Sequence, residues 1–279
     1  MNEMLIVGGT GKTGRRVAQR LRDAGHTVRT ASRAHGDVHF DLGEPSTWPY
    51  ALAGVTAAYL VEPEMQATDE GRRRIPRLVD AAAAAGVQRL VLLSAPGVEG
   101  NKMHPLRQAE ETVRTRGPQW TIVRPTWFAQ NFSEAFWRPG ILAGSLALPT
   151  GTGATTFIDA DDIADVVAAA LTGDGHNGET YVLTGSRAIS FGEAVGLIAE
   201  ATGRTIRHVE IGAEEFTRAQ IADGVPAATA QLLTGLYTSI RDGKATEVFD
   251  GVQRALGRQP RSFEDYASAA AAAGAWNTP

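Results

Sequence analysis

The sequence predicts an α/β fold: a doubly wound parallel sheet with helices on both faces, followed by a smaller, mostly helical part. Three observations carry this. Short apolar runs alternate with stretches of helical period from Met4 to Pro125. The run Arg89–Ser94 is apolar without alternation, as a strand covered on both faces requires. Glycine or proline closes the elements, at Gly8, Gly25, Pro63, Gly86, Gly117 and Pro125.

Each element has its own warrant. Met4–Val7 is an apolar strand ending in glycines. Residues 12–24 are a helix with Val17, Ala18 and Leu21 on one face and Arg15, Arg16, Arg20 and Arg22 on the other, stopped at Gly25. His26–Ser32 alternates as a strand, Val38–Phe40 is a third strand, and Ser46–Gly54 is a short helix. Thr56–Val61 is the fourth strand, Asp69–Ala85 a long helix and Arg89–Ser94 the fifth strand. Pro105–Arg116 is a helix and Trp120–Arg124 the sixth strand. The rhythm then loosens. Thr126–Trp137 reads as an aromatic helix and Ile141–Thr155 as loop and hairpin. Asp161–Leu171 is a helix, Thr180–Leu183 a late strand, Ser190–Thr202 a helix and Thr205–Ile211 a strand. Residues 213–274 are mostly helical. The division expected is a first domain at 1–155, with 156–185 returning to it, and a substrate-binding or lid region at 186–279.

Composition sets bounds. The chain has 279 residues, 43% hydrophobic and 21% charged, which is enough to bury a core in one large domain or two intimate ones. Zero cysteines exclude disulfides, thiolate zinc sites and a cysteine nucleophile. A net charge of −4 argues against a nucleic-acid binder. No apolar run approaches the roughly 18–20 residues of a membrane span. The chain enters its first strand without a basic leader, so a cytoplasmic protein is expected, as monomer or homodimer.

The strongest motif is Gly8-Gly9-Thr10-Gly11-Lys12-Thr13-Gly14, between a strand and a helix. Gly8 permits the tight turn, Gly11 lets a pyrophosphate approach the backbone, and Gly14 lets the helix pack on the strand. Phosphates then sit at the positive end of that helix. The spacing is not that of a P-loop. This is the dinucleotide loop of a Rossmann-type domain, with Thr10, Lys12, Thr13 and Val61 counted among its contacts. At the end of the second strand stand Ser32 and Arg33, with no acid for a ribose hydroxyl. Arg33 is a donor fork suited to a phosphate, so the cofactor expected is NADP(H). Asp41 has two readings, a contact to the adenine amino group or a helix cap.

These residues resemble the atypical short-chain dehydrogenase/reductases of the NmrA-like group. The matching marks are Gly8–Gly14, Arg33, Asp41, Leu93-Ser94, Arg124-Pro125-Thr126-Trp127-Phe128 and Asp159–Ala164. Within the group, Ala31-Ser32-Arg33 and Pro125–Phe132 resemble the festuclavine/agroclavine dehydrogenases and their bacterial relatives. The resemblance implies strand order 3-2-1-4-5-6 with a seventh strand, and a substrate at the carboxyl ends. It also implies that Ser94 and Arg124 lie by the nicotinamide, though each also reads as an ordinary strand-end residue.

The Tyr-x-x-x-Lys pair of most short-chain dehydrogenases is missing: no tyrosine has lysine four residues on. By resemblance, His104 stands at the tyrosine position and Gln108 at the lysine position. His104 is therefore the candidate proton donor, beside Ser94, or else a loop residue capping the next helix. A protonated imine needs no acid, whereas a ketone or quinone needs a donor at oxygen. Trp127, Phe128 and Phe132 are candidates to wall an aromatic substrate, although their spacing also suits packing. Asp159, Asp161 and Asp162 read as helix cap and first-turn acids, and no metal site is expected. The function expected is NADPH-dependent reduction of a small aromatic or polycyclic metabolite. The alternative is a non-catalytic NADP(H)-binding redox sensor acting on a protein partner.

Overall fold

The computed structural model describes residues 3–64 and 68–277. In chain order the elements begin with β1 (Glu3–Val7), α1 (Lys12–Asp23), β2 (Thr27–Ser32) and β3 (Val38–His39). They continue with α2 (Trp48–Leu52), β4 (Val55–Leu60), α3 (Asp69–Ala84), β5 (Arg89–Leu93), α4 (Arg107–Arg116) and β6 (Gln119–Pro125). Then come β7 (Trp127–Phe128), α5 (Asn131–Glu134), α6 (Arg138–Ala143), β8 (Ser145–Leu148), β9 (Ala154–Ile158), α7 (Ala160–Thr172) and β10 (Glu179–Leu183). The last are β11 (Ala188–Ser190), α8 (Phe191–Thr202), β12 (Arg207–Glu210), α9 (Ala213–Ala222), α10 (Ala227–Arg241), α11 (Gly251–Leu256) and α12 (Phe263–Ala272).

The chain forms two compact units. The first comprises residues 1–126, 160–183 and 250–259. It holds a seven-stranded sheet in the order β10-β6-β5-β4-β1-β2-β3, parallel throughout. The order implied by the family resemblance is therefore found. It reverses between β1 and β4, the switch point where open parallel sheets bind ligands at their carboxyl ends. On one face Leu5, Leu60, Leu90 and Leu92 pack with Ile75, Leu78 and Val79 of α3 and Val113 of α4. Full burial of each such side chain contributes about 1.5–3 kcal/mol. Elsewhere in this unit α1 packs against α7. Apolar residues Val17 and Leu21 of α1 and Ile163 and Val167 of α7 are buried. The charged faces of the two helices also engage: Arg20 pairs with Asp161 and Asp165, and Arg16 with Asp161. Two of the four arginines on the polar face of α1 are thus tied to acids of α7.

The second unit comprises residues 127–159, 184–249 and 260–279. Its three-stranded sheet runs β11-β9-β7, and β8 pairs with β12. Its core is aromatic: the Phe132 ring lies 4.6 Å from Trp137, 5.3 Å from Phe157 and 5.5 Å from Phe263. The polar edges of these rings are satisfied internally. Trp137 Nε1 donates to the Tyr237 hydroxyl at 3.0 Å and Trp276 Nε1 to the Phe132 carbonyl at 2.8 Å.

Three expectations are corrected. Residues 126–137 are not one helix, because Trp127 and Phe128 pair in parallel with Phe157 and Ile158, leaving only a short turn of helix at Asn131–Glu134. Residues 141–155 are not all loop and hairpin: α6 stops at left-handed Gly144, and β8 then pairs with the distant strand β12. The compact units also divide at 126/127 rather than near 155, since β7 takes the chain into the second sheet directly after β6.

Candidate functional site

The glycine loop is built by steric necessity. Gly8 has φ +68° and its N–H donates to the Ala31 carbonyl at 2.9 Å. Gly11 N–H closes the turn on the Gly8 carbonyl at 2.8 Å. A Cβ on Gly14 would stand 2.1 Å from that same carbonyl oxygen, so only glycine lets α1 start this close to β1. The first bond of α1 runs from Arg15 N–H to the Gly11 carbonyl, so the amides of the first turn lie ahead of the helical ladder. That turn carries no acidic residue and Gly11 offers no side-chain cap, which keeps the positive helix end for an anion. Thr13 is turned inward: its hydroxyl accepts from Tyr59 at 2.9 Å and ties α1 to β4. Burial drives the Tyr59 hydroxyl well above its ordinary pKa, so it remains a donor. The Lys12 carbonyl accepts from Arg16.

A cavity of about 350 Å³ opens beside this loop. Gly8, Thr10, Gly11, Ser32, Arg33, Asp41 and Val61 all line it, so the structure brings most of the expected dinucleotide residues together. Asp41 borders the cavity, and its Oδ1 accepts from Gly43 N–H at 2.7 Å, closing a turn two residues on rather than capping a helix. Ser32 Oγ accepts from His35 N–H at 3.1 Å and so shapes the turn that carries Arg33. Glu64 and Arg74, which sequence reading passed over, line the same cavity. The loop clearance, helix end and arginine fit a dinucleotide with its pyrophosphate over Gly8–Gly14.

At the ends of β5 and β6 a second cluster forms. Ser94, just past β5, is held by its N–H to the Val123 carbonyl at 2.7 Å. Its hydroxyl donates to Glu110 Oε1 at 2.5 Å. Arg124 grips the same carboxylate, Nε to Oε1 at 2.8 Å and Nη2 to Oε2 at 2.5 Å. Arg114 Nη2 lies 3.2 Å from Glu110 Oε2, and Arg124 Nη1 reaches Glu99 at 2.7 Å. Glu110 is 0% exposed, a charge tolerated there because its oxygens are filled. Sequence reading missed it. The available signal was its place beside Ala109 and Val113 on the buried side of α4. Gln108, which the resemblance puts at the lysine position, is exposed instead.

His104 is half-buried and its Nδ1 accepts from Leu106 N–H at 3.1 Å. Leu106 precedes α4, so this bond shapes the turn before the helix, and the neutral ring carries its proton on Nε2. Burial holds the imidazole below its ordinary pKa, with Glu110 pulling it up and Arg124 pushing it down.

Residues 8–174 match the NAD(P)H-binding family. The chain belongs to that family. It is an NAD(P)H-dependent oxidoreductase. It shares 37% identity over 278 residues with the uncharacterized oxidoreductase YesF of Bacillus subtilis, covering 97% of this chain and 96% of that one. It shares 30% identity over 281 residues with festuclavine synthase I of Penicillium roqueforti, covering 95% and 96%. Among solved structures, the fold is like that of the Citrobacter sp. triphenylmethane reductase complexed with NADP(H), with a TM-score of 0.74, 22% identity and coverage of 97% and 100%.

The remaining residues of this NAD(P)H-binding protein take distinct places. In the second unit Trp127 and Phe128 are half-buried, and Trp127 stacks on Tyr237 with centroids 5.6 Å apart. Phe132 is fully buried in the aromatic core, where it faces other side chains rather than a cavity. Asp159 accepts from Gln130 Nε2 at 2.7 Å. Asp161 and Asp162 stand in the first turn of α7, and Asp162 also pairs with Arg258 at 2.7 Å. Among the described residues no group of three His, Asp or Glu side chains is placed to hold a metal, and no helix is long and apolar enough to cross a membrane.

Proposed function

We propose that this protein is an NADPH-dependent reductase of a small aromatic or polycyclic metabolite, reducing an imine, iminium, ketone or quinone without a Tyr-x-x-x-Lys pair. The observation that carries the reading is the Ser94–Glu110–Arg124 cluster beside a neutral His104. A reduced nicotinamide dinucleotide, held by its pyrophosphate at Gly8–Gly14, would supply the hydride. The chain's own residues position and polarise. The Ser94 hydroxyl hydrogen is engaged in its bond to Glu110, so toward a ligand Ser94 offers lone pairs and accepts from an N–H or O–H. His104 offers an Nε2–H donor, which steadies negative charge developing on a substrate oxygen or nitrogen. With imidazolium disfavoured, the proton that completes an alcohol or hydroquinone comes from solvent; an iminium carbon needs none. Arg33 receives the 2′-phosphate, and the half-buried Trp127 and Phe128 supply apolar wall for a ring. The names of the relatives support the class, since one is a festuclavine synthase and one fold neighbour a triphenylmethane reductase.

The test follows loss of reduced-nicotinamide absorbance with cyclic imines, quinones and polycyclic ketones, beside calorimetric titration with NADPH. Substrate-dependent oxidation by any of these classes establishes the reductase. Tight NADPH binding without turnover on all three overturns it in favour of a redox sensor.

A further inference from the structure

We propose that Glu64 determines cofactor specificity at the adenosine end: its carboxylate holds Arg33, competes with the 2′-phosphate of NADP(H) and accepts the ribose 2′-hydroxyl of NAD(H). The inference rests on the reading that Arg33 receives the 2′-phosphate. Glu64 Oε1 lies 3.4 Å from Arg33 Nη1 and its Oε2 lies 3.0 Å from Arg74 Nη1, and all three residues line the same cavity. The two arginines are unequal. Arg74 is buried and fixed, with Nε and Nη2 on the two oxygens of buried Glu62 at 3.1 and 2.5 Å. Glu64 is fixed in turn, by Arg74 and by its own N–H donating to Glu62 Oε1 at 3.1 Å. The Arg33 side chain is 66% exposed and makes one long contact to Glu64, so it is the partner able to swing.

The charge at this end follows from those bonds. Two guanidinium groups, Arg33 and Arg74, face three carboxylates, Asp41, Glu62 and Glu64. Arg74 is already shared by two of the acids and has little charge left for a phosphate. A 2′-phosphate therefore draws on Arg33 alone and meets repulsion from Glu64. A ribose hydroxyl meets the reverse: a carboxylate acceptor placed as the acid at the end of β2 is in NAD enzymes, here supplied from the segment after β4. The site takes both cofactors, and the strength of the Glu64–Arg33 pair sets the ratio.

Calorimetric titrations of the wild-type chain, Glu64→Gln and Glu64→Ala with NADPH, NADH, adenosine 2′,5′-bisphosphate and adenosine 5′-monophosphate test this. Both variants are expected to tighten NADPH and the bisphosphate about three- to tenfold, loosen NADH about twofold to threefold and leave the 5′-monophosphate unchanged. Matching circular dichroism and melting curves separate these shifts from misfolding, and either variant alone suffices. A wild-type NADPH/NADH ratio retained within about twofold by a folded variant overturns the role of Glu64. A wild-type chain that binds the bisphosphate no more tightly than the 5′-monophosphate overturns the Arg33 reading as well, so the two failures are distinct.

Discussion

The Ser94 hydroxyl donates to Glu110 Oε1 at 2.5 Å, on a carboxylate that Arg124 also holds through two nitrogens. Removing the carboxylate leaves Nε and Nη2 of a buried guanidinium without their acceptor, with only Nη1 still on Glu99. Glu110→Ala is expected to cost about 3–5 kcal/mol, whereas Ser94→Ala removes one bond to a charged group and costs about 1–2 kcal/mol. Urea denaturation measures both. Equal small losses would show that Glu110 does not organise the cluster.

His104, His176 and His208 all have imidazole pKa values held below the ordinary value, burial being the first cause in each. The folded state therefore prefers the neutral ring more than the unfolded chain does. Stability from these groups is complete above the ordinary value of about 6.5 and is lost as pH falls from there through the folded values. The denaturation midpoint should be flat from about pH 7 to 8 and decline below about 6.5, with a shallower decline in His104→Gln. An unchanged acid slope in that variant would remove His104 from the account.

The same histidine separates proton donation from polarisation. Glutamine keeps an N–H donor at similar reach and cannot titrate. His104→Gln should retain kcat on a carbonyl substrate within about threefold, and His104→Ala should lose about tenfold to a hundredfold. If glutamine fails as badly as alanine, the imidazole delivers a proton after all. With an iminium substrate both variants should stay near wild type.

Much of this architecture is legible in sequence because its causes are local. Apolar runs, helical periods and the clearance demanded at Gly14 each act within a few residues of themselves, and they yielded the alternating elements of the first unit and the dinucleotide loop, whereas the strand order came from the family resemblance. What was misread depends on distant partners. Trp127 and Phe128 sit at helix-compatible spacing from Phe132, yet the pairing of β7 with Phe157 and Ile158 decides their conformation. Glu110 carries no mark in the sequence, because Ser94 and Arg124 reach it from two strand ends. Glu64 carries none either, because its partner Arg74 stands ten residues on.

Gly14→Ala tests the loop directly. The added Cβ meets the Gly8 carbonyl at 2.1 Å and the Gly9 Cα at 2.9 Å, and backbone cannot yield as a flexible side chain does. Separating α1 from β1 should cost about 3 kcal/mol and abolish NADPH binding by calorimetry. Gly25→Ala is the control: its Cβ meets nothing within 4 Å, so only the strain of φ +82° is felt and cofactor affinity should hold.

Phe132 and Trp127 make opposite predictions although both stand in the same aromatic segment. The Phe132 ring is enclosed by Trp137, Phe157, Phe191 and Phe263, so Phe132→Ala opens a cavity and should cost about 3–5 kcal/mol. Trp127 is half-buried, with Trp137 and Tyr237 against its ring, and its truncation exposes less. Burial pushes the Tyr237 hydroxyl up to about 12, so it stays protonated and keeps accepting from Trp137 in either variant. If Trp127 walls the substrate, Trp127→Ala raises KM by about tenfold while shifting the urea midpoint less than Phe132→Ala does. In Phe132→Ala the loss falls on stability, and any folded fraction keeps its KM. A Trp127→Ala enzyme with unchanged KM would return both residues to packing and leave Phe128 as the remaining aromatic candidate for the wall.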